Sequence, residues 1–132
     1  MSHIIAVDFD GTIVEHRYPD IGRPVPGAIE ALLEFQGLGA RLILWTMRSD
    51  GQRDGDVLTL AVEWCRKRGL EFWGVNQNPE QSWSRSPKAY AHRYIDDAAV
   101  GCPLRPSLTA GARDMVDWER VREDVLRWLA KP

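Results

Sequence analysis

Four short apolar runs, each halted by polar residues and separated by stretches of helical spacing, constrain this chain more than any other feature. Residues 3–7, 41–46, 70–75 and 94–95 have strand length and are rich in Ile, Leu and Val. Pro26 opens a helix running to Gly37 or Gly39, with Ile29, Leu32 and Leu33 at i, i+3, i+4 as its inner face. Asp56 is placed to cap a helix through Arg68, with Val57, Ala61, Trp64 and Cys65 on one side and Gly69 as its stop. Asp117 is placed to cap a last helix to Lys131 that buries Trp118, Val121, Val125, Trp128 and Leu129. Residues 13–24 read as a loop or small hairpin, and residues 101–113 as a long irregular connection. Strands alternating with helices predict an α/β fold: a Rossmann-like domain with a mostly parallel sheet flanked by helices. Parallel strands gather their carboxyl ends on one edge, where such sheets bind ligands. Asp8, Thr46, Asn76 and Asp96 all fall at those ends.

A chain of 132 residues with no repeat, linker or low-complexity stretch is expected to be one domain spanning residues 1–132. Its 17 basic and 19 acidic side chains leave a formal charge of −2, which argues against a general nucleic-acid binder. Cys65 and Cys102 form neither a CxxC pair nor a zinc spacing, so a reduced, cytoplasmic setting is expected. Residues 1–8 lack a basic leader, and their apolar run ends at Asp8. They read as neither a signal peptide nor a membrane span, and no membrane partner is expected.

The densest chemistry lies in Asp8-Phe9-Asp10-Gly11-Thr12, directly after the first strand. An apolar strand ending in Thr46, an isolated Lys88 and a strand ending in Asp96-Asp97 follow in that order. This series resembles the haloacid dehalogenase (HAD) superfamily of aspartate-nucleophile phosphohydrolases. The first motif, strand–DxDGT, is the specific one. The Thr and the Lys gain weight from order and placement, and the motifs together span residues 4 to 97.

A carboxylate attacking a phosphate dianion is like charge meeting like charge, so the site must supply positive charge first. Two carboxylates about 4 Å apart repel by roughly 4 kcal/mol at an effective dielectric of 20. A hard divalent cation removes that repulsion, and an all-oxygen ligand set favours Mg²⁺. The resemblance implies that Asp8 is both nucleophile and metal ligand, with the Asp10 backbone carbonyl and Asp96 as further ligands. Asp97 would act through water or orient the site. Asp10 would be the general acid for the leaving oxygen and then the base for water. Thr46 would donate to the phosphoryl group, Lys88 would neutralise its oxygens, and amides of Gly11, Thr12 and their neighbours would complete the cradle. An Asp at position 10 favours members that turn over phosphate esters. Lys88 stands only eight residues before Asp96, which keeps Arg85 as a competitor for its role.

Several residues have a functional and an ordinary reading side by side. Arg48, at the predicted mouth, suits a bidentate phosphate contact or a solvated loop. Asn76 and Asn78 suit substrate contact or turn chemistry. Trp83 suits stacking on a ring or packing at the edge of the core. Glu15, His16, Arg17 and Tyr18 occupy the place of a substrate-gating flap or an exposed loop. His3 and His92 have no partner spacing and read as structural or exposed. Neither Asp10 to Thr46 nor Thr46 to Lys88 holds enough residues for a cap domain, so a capless, open site is expected, which the flap or a neighbouring copy in a homo-oligomer would cover. The expected activity is Mg²⁺-dependent hydrolysis of a phosphomonoester through an aspartyl-phosphate, with nucleic acid entering only as a substrate. The alternatives are phosphoryl transfer to another acceptor and a non-enzymatic phosphate-sensing module. The acidic pair after Lys88 is in the wrong order for a receiver domain.

Overall fold

The computed structural model describes residues 3–132; Met1 and Ser2, the start of the stretch read as lacking a leader, lie outside the described residues. Six strands and three helices follow one another as β1 (Ile4–Val7), α1 (Ala28–Gly37), β2 (Arg41–Leu44), α2 (Val57–Arg66), β3 (Gly74–Val75), β4 (Arg93–Ile95), β5 (Leu104–Arg105), β6 (Met115–Val116) and α3 (Trp118–Leu129). The main sheet has the order β3-β2-β1-β4 and is parallel throughout. It is a Rossmann-like α/β domain. No helix among the described residues is long and apolar enough to cross a membrane.

The period-2 alternation of the strands sorts the core into two unequal layers. Ile5, Val7, Leu42, Leu44 and Ile95 face the side where all three helices pack, contributing Ala28, Ala31, Leu32 and Phe35, then Ala61 and Cys65, then Trp118, Val121 and Val125. Ala6 and Ile43 face the other side, which only Ala89 and Ala91 cover, flanked by Ile4, Trp45 and Trp73. The strand order explains the asymmetry. The chain steps from β1 to β2 to β3 in one direction, with α1 and α2 packed on one face. It then jumps back over β1 to β4 along the opposite face, and residues 76–92 make that crossing without a helix.

Local chemistry moves several expected boundaries. In α1 the buried stripe is Ala28, Ala31, Leu32 and Phe35, while Leu33 is exposed. Asp56 precedes α2 but caps nothing there. Its carboxylate accepts the Gly51 N–H at 3.1 Å, and Asp50 takes the Leu58 and Thr59 N–H groups at 2.9 Å each. Asp117 does cap α3, accepting from the Arg120 N–H. The third strand shrinks from the expected six residues to Gly74–Val75. Gly74 is required there, since a Cβ would stand 2.3 Å from the Gln77 carbonyl oxygen and 2.9 Å from the Pro79 ring. Within the stretch read as irregular, Leu104–Arg105 pairs antiparallel with Met115–Val116. This hairpin braces the turn after β1: the Val116 N–H donates to the Gly11 carbonyl at 3.0 Å. Trp118, at the start of α3, donates its indole N–H to the Thr12 carbonyl at 2.6 Å.

Candidate functional site

Because the four strands are parallel, Asp8, Thr46, Asn76 and Asp96 emerge on one edge, and together they line a cavity of about 320 Å³ with Trp45 and Met47. The ladder holds them in register. The Asp8 N–H donates to the Ile95 carbonyl at 2.9 Å, the Trp45 N–H to Val7 at 2.8 Å, and the Asn76 N–H to Leu44 at 2.7 Å. Asn76 adopts the left-handed conformation (φ 54°), and its Oδ1 accepts the Thr46 N–H at 2.8 Å. That bond fixes the backbone carrying the Thr46 hydroxyl. Asn76 therefore acts first on Thr46.

Asp8, Asp96 and Asp97 offer carboxylate oxygens that all lie within 4.8 Å of one another. Hard oxygen donors at this spacing fit a divalent cation such as Mg²⁺. Burial, and next the Asp96 charge, push the Asp8 carboxyl up to about 8, against the opposing pull of the Phe9 N–H. The charged form of Asp8 is thus disfavoured without a compensating cation.

The back of the cluster is tied down. The Thr12 hydroxyl lies 3.4 Å from Asp8 Oδ2 and 3.4 Å from Asp97 Oδ1, and accepts the Asp97 N–H at 3.2 Å. His16 Nε2 sits 2.8 Å from Asp97 Oδ2, and the Arg113 guanidinium approaches the same oxygen at 3.9 Å. Gly11 (φ 82°) makes room for this: a Cβ there would lie 2.1 Å from His16 Nε2 and 2.6 Å from Asp97 Oδ2. Asp97 is consequently a braced residue behind the cavity, whereas Asp96 lines it.

The expected phosphate cradle at Gly11 and Thr12 does not form in the way the motif suggests. The turn closes on itself. The Gly11 N–H donates to the Val14 carbonyl at 2.7 Å and the Thr12 N–H to Phe9 at 3.2 Å, and the Thr12 side chain is fully buried against the acids.

Arg48 also departs from the expected mouth position. It is 1% exposed. Its Nε and Nη2 grip the two oxygens of Asp10 at 2.8 Å each. Nη2 also reaches the Asp20 carbonyl at 2.8 Å, and Nη1 the carbonyls of Val57 at 3.1 Å and Pro19 at 3.3 Å. All five donors are engaged, and the guanidinium stacks near the Phe9 and Tyr18 rings. The phosphate-contact reading gives way to a buried clamp joining Asp10, the 15–20 segment and α2.

The flap residues split. Arg17 and Tyr18 are exposed, but Glu15 is buried, accepting from the Leu108 N–H at 3.1 Å, from Arg23 Nε at 3.0 Å and from the Ser107 hydroxyl. The Ser107 hydrogen bond, with help from Arg23, holds its carboxyl below the usual range against the opposing effect of burial. Sequence reasoning missed these anchors. A Glu and a His directly after the first motif were the available signal.

Lys88 is exposed, with Nζ 5.3 Å from the centre of the Tyr94 ring, and is not among the residues lining the Asp8 cavity. Arg85 lines a neighbouring recess. Asn78 is a turn residue, donating to the Tyr90 carbonyl and accepting the Glu80 N–H, both at 2.9 Å. Trp83 is 69% exposed, so core packing does not account for it. His92 is structural, its Nδ1 accepting the Ile4 N–H at 2.9 Å.

Two outcomes follow from this geometry. Arg48→Met leaves Asp10 and three carbonyls without their donors and should cost about 3–5 kcal/mol in denaturant unfolding, the range for breaking a buried ion pair. Arg48→Lys should recover little, because one ammonium cannot reproduce the fork. Asp8 gives the second outcome. With its carboxyl raised, the folded state binds a proton that the unfolded state has released between pH 4 and pH 8. Stability in excess chelator should therefore fall as pH rises across that window and level off above it. Asp8→Asn should flatten this slope in thermal melts. An unchanged slope would refute the assignment.

No protein-family model matches the chain, and neither does any curated protein. A solved structure does: the conserved protein coded by a locus of Bacteroides thetaiotaomicron is 42% identical, with a TM-score of 0.77 over 97% of this chain and 93% of that one. At that identity and coverage the chain belongs to the same family as that conserved Bacteroides protein.

Proposed function

We propose that the protein is a phosphomonoesterase of the HAD type, using Asp8 as nucleophile and Mg²⁺ as cofactor. One observation carries this reading: the Asp8 carboxylate stands at the end of a central strand, clustered with Asp96 and Asp97, in a cavity shared with Thr46. The order of these residues is that of the HAD motifs, and Asp8 and Asp96 directly follow adjacent parallel strands.

Asp8 and Asp96 would hold the cation together with the Asp10 carbonyl, while Asp97, braced by His16 and Thr12, orients them. Bound there, Mg²⁺ would neutralise the acids and draw charge from the phosphoryl oxygens. Asp8 then attacks phosphorus, forming the Oδ–P bond as the ester oxygen leaves. Asp10 gives that oxygen its proton. In the second half Asp10 takes a proton from water as water attacks the aspartyl-phosphate, releasing inorganic phosphate and restoring both side chains. Both Asp10 oxygens accept from Arg48, so for each transfer one of them would give up its guanidinium bond to carry the proton while the other keeps Asp10 in place.

Thr46 donates to the phosphoryl group, and Lys88, on a long stem beside Tyr94, supplies the balancing charge. Asp10 to Thr46 holds the flap, α1 and β2, and Thr46 to Lys88 holds α2 and β3, so no cap domain is inserted. Met47, lining the cavity, is 97% exposed. Water reaches such a site freely, which favours hydrolysis over transfer to another acceptor.

Chelation should abolish turnover of an aryl phosphate and Mg²⁺ should restore it, with Ca²⁺ a poor substitute because its looser coordination misplaces the oxygens. Asp8→Asn should remove turnover outright, and Asp10→Asn should lower it by about 10²–10⁴-fold. Trapping of ³²P on wild type and not on Asp8→Asn checks the covalent step. Full activity in excess chelator, or labelling of Asp8→Asn, overturns the reading. For the balancing cation, Lys88→Ala should lower aryl phosphate turnover far more than Arg85→Ala. The reverse ranking would transfer that role to Arg85.

A further inference from the structure

Beside the Asp8 cavity lies a second recess of about 260 Å³, and Asn76 forms part of both walls. Its floor is the helix-free crossing between β3 and β4. That crossing is held in shape by its own side chains. Gln81 accepts the Tyr90 N–H at 2.7 Å and donates to the Lys88 carbonyl at 3.1 Å. Ser84 and Ser86 accept the N–H groups of Ser86 and Lys88 at 3.1 and 3.2 Å. With Asn78 bridging Glu80 and Tyr90, the loop has a defined form without a helix.

These bonds engage Asn78, Gln81, Ser84 and Ser86 but not Arg85. Among the described residues, Arg85 makes no ion pair or side-chain hydrogen bond, and Glu80, an acid of the same crossing, is paired with Arg41 at 3.0 Å. Asn76 offers Nδ2 as well, since only its Oδ1 is engaged. The recess thus presents an unpaired guanidinium and an amide donor, next to a cavity that holds the Asp8 and Asp96 carboxylates. An anion is repelled by the Asp8 cluster unless a cation compensates, and attracted here in any case.

We infer that this recess is the leaving-group subsite and that it selects phosphomonoesters whose leaving group carries a second anionic group, a carboxylate or a phosphate, held by Arg85. This rests on the phosphomonoesterase reading. A substrate with its reacting phosphoryl group against Asp8 and Thr46 passes Asn76 and places its second charge on the guanidinium. With no cap domain to enclose the leaving group, the crossing loop is the element that contacts it.

The test compares matched esters on the Mg²⁺-loaded enzyme: glycerol 3-phosphate with 3-phosphoglycerate for a carboxylate, and fructose 6-phosphate with fructose 1,6-bisphosphate for a phosphate. The doubly anionic member of at least one pair should have kcat/KM about tenfold higher, the advantage lying in KM, as expected for one exposed charge-assisted contact. Whichever pair shows it names the anion. Arg85→Gln should bring that ratio close to one, and Arg85→Lys should recover part of it. A thermal melt of Arg85→Gln matching wild type separates loss of contact from loss of fold. If all four esters are hydrolysed without preference, or if Arg85→Gln lowers both members of a pair equally, the subsite is overturned and the phosphomonoesterase reading stands. If no phosphate ester is hydrolysed, that reading falls and the subsite with it.

Discussion

Adjacent parallel strands ending in carboxylates create the electrostatic problem around which the rest of the site is arranged. β1 delivers Asp8 and β4 delivers Asp96 and Asp97 to the same edge, within 4.8 Å of one another. Burial and mutual repulsion lift the Asp8 carboxyl far above its ordinary value. Such a cluster persists because the backbone ladder fixes both strands and because neighbours are drawn in around the rear acid. Thr12, His16 and Arg113 all converge on Asp97, and the lack of a side chain at Gly11 lets the imidazole approach. The front acids, Asp8 and Asp96, are left facing the cavity. The strained electrostatics are thereby confined to the side where a cation and a phosphoryl group would relieve them.

A second charge pair performs a different task. Arg48 and Asp10 form a buried, bidentate pair whose remaining donors reach carbonyls of the 19–20 segment and of Val57. Ion pairs of this kind contribute little net stability but fix geometry, since any displacement leaves several groups unpaired at once. Here one guanidinium joins the turn after β1, the loop after β2 and the start of α2. The flap is anchored independently through Glu15 to residues 107–108. Asp10 and the segment covering it are therefore held by side chains distant in sequence, and the position of the Asp10 carboxylate depends on both.

The sheet, the three helices and the convergence of Asp8, Thr46, Asn76 and Asp96 were legible from periodicity and from the rule that parallel strands present their carboxyl ends together. Which side chains face the cavity was not. Arg48 follows Thr46 by two residues, and nothing in its neighbours shows that Asp10 and three carbonyls will take all of its donors. The same limit applies to Gly11, whose N–H closes the turn on Val14. It applies to Asp50, which caps α2 in place of Asp56. In each case the deciding partner lies on another part of the chain, or several residues off the local pattern. The hairpin of β5 and β6 escaped for a related reason: two-residue strands have no periodicity to read, and their pairing is fixed by the turn they brace.

The unequal faces of the sheet bear on specificity. Three helices bury one face, while the other is covered by a loop that contributes little more than Ala89 and Ala91 to the packing. A helix in that crossing would bury more apolar area, yet it would satisfy its backbone internally and leave its side chains to pack the sheet. The loop instead bonds its backbone through Asn78, Gln81, Ser84 and Ser86, which keeps it ordered while Arg85 and Trp83 project outward. That crossing leads into β4, which carries Asp96 at its end, and borders the cavity at Asn76. Apolar burial on this face has been exchanged for a hydrogen-bonded polar rim beside the Asp8 carboxylate, and on the proposed phosphomonoesterase reading that rim is where one phosphate ester would be distinguished from another.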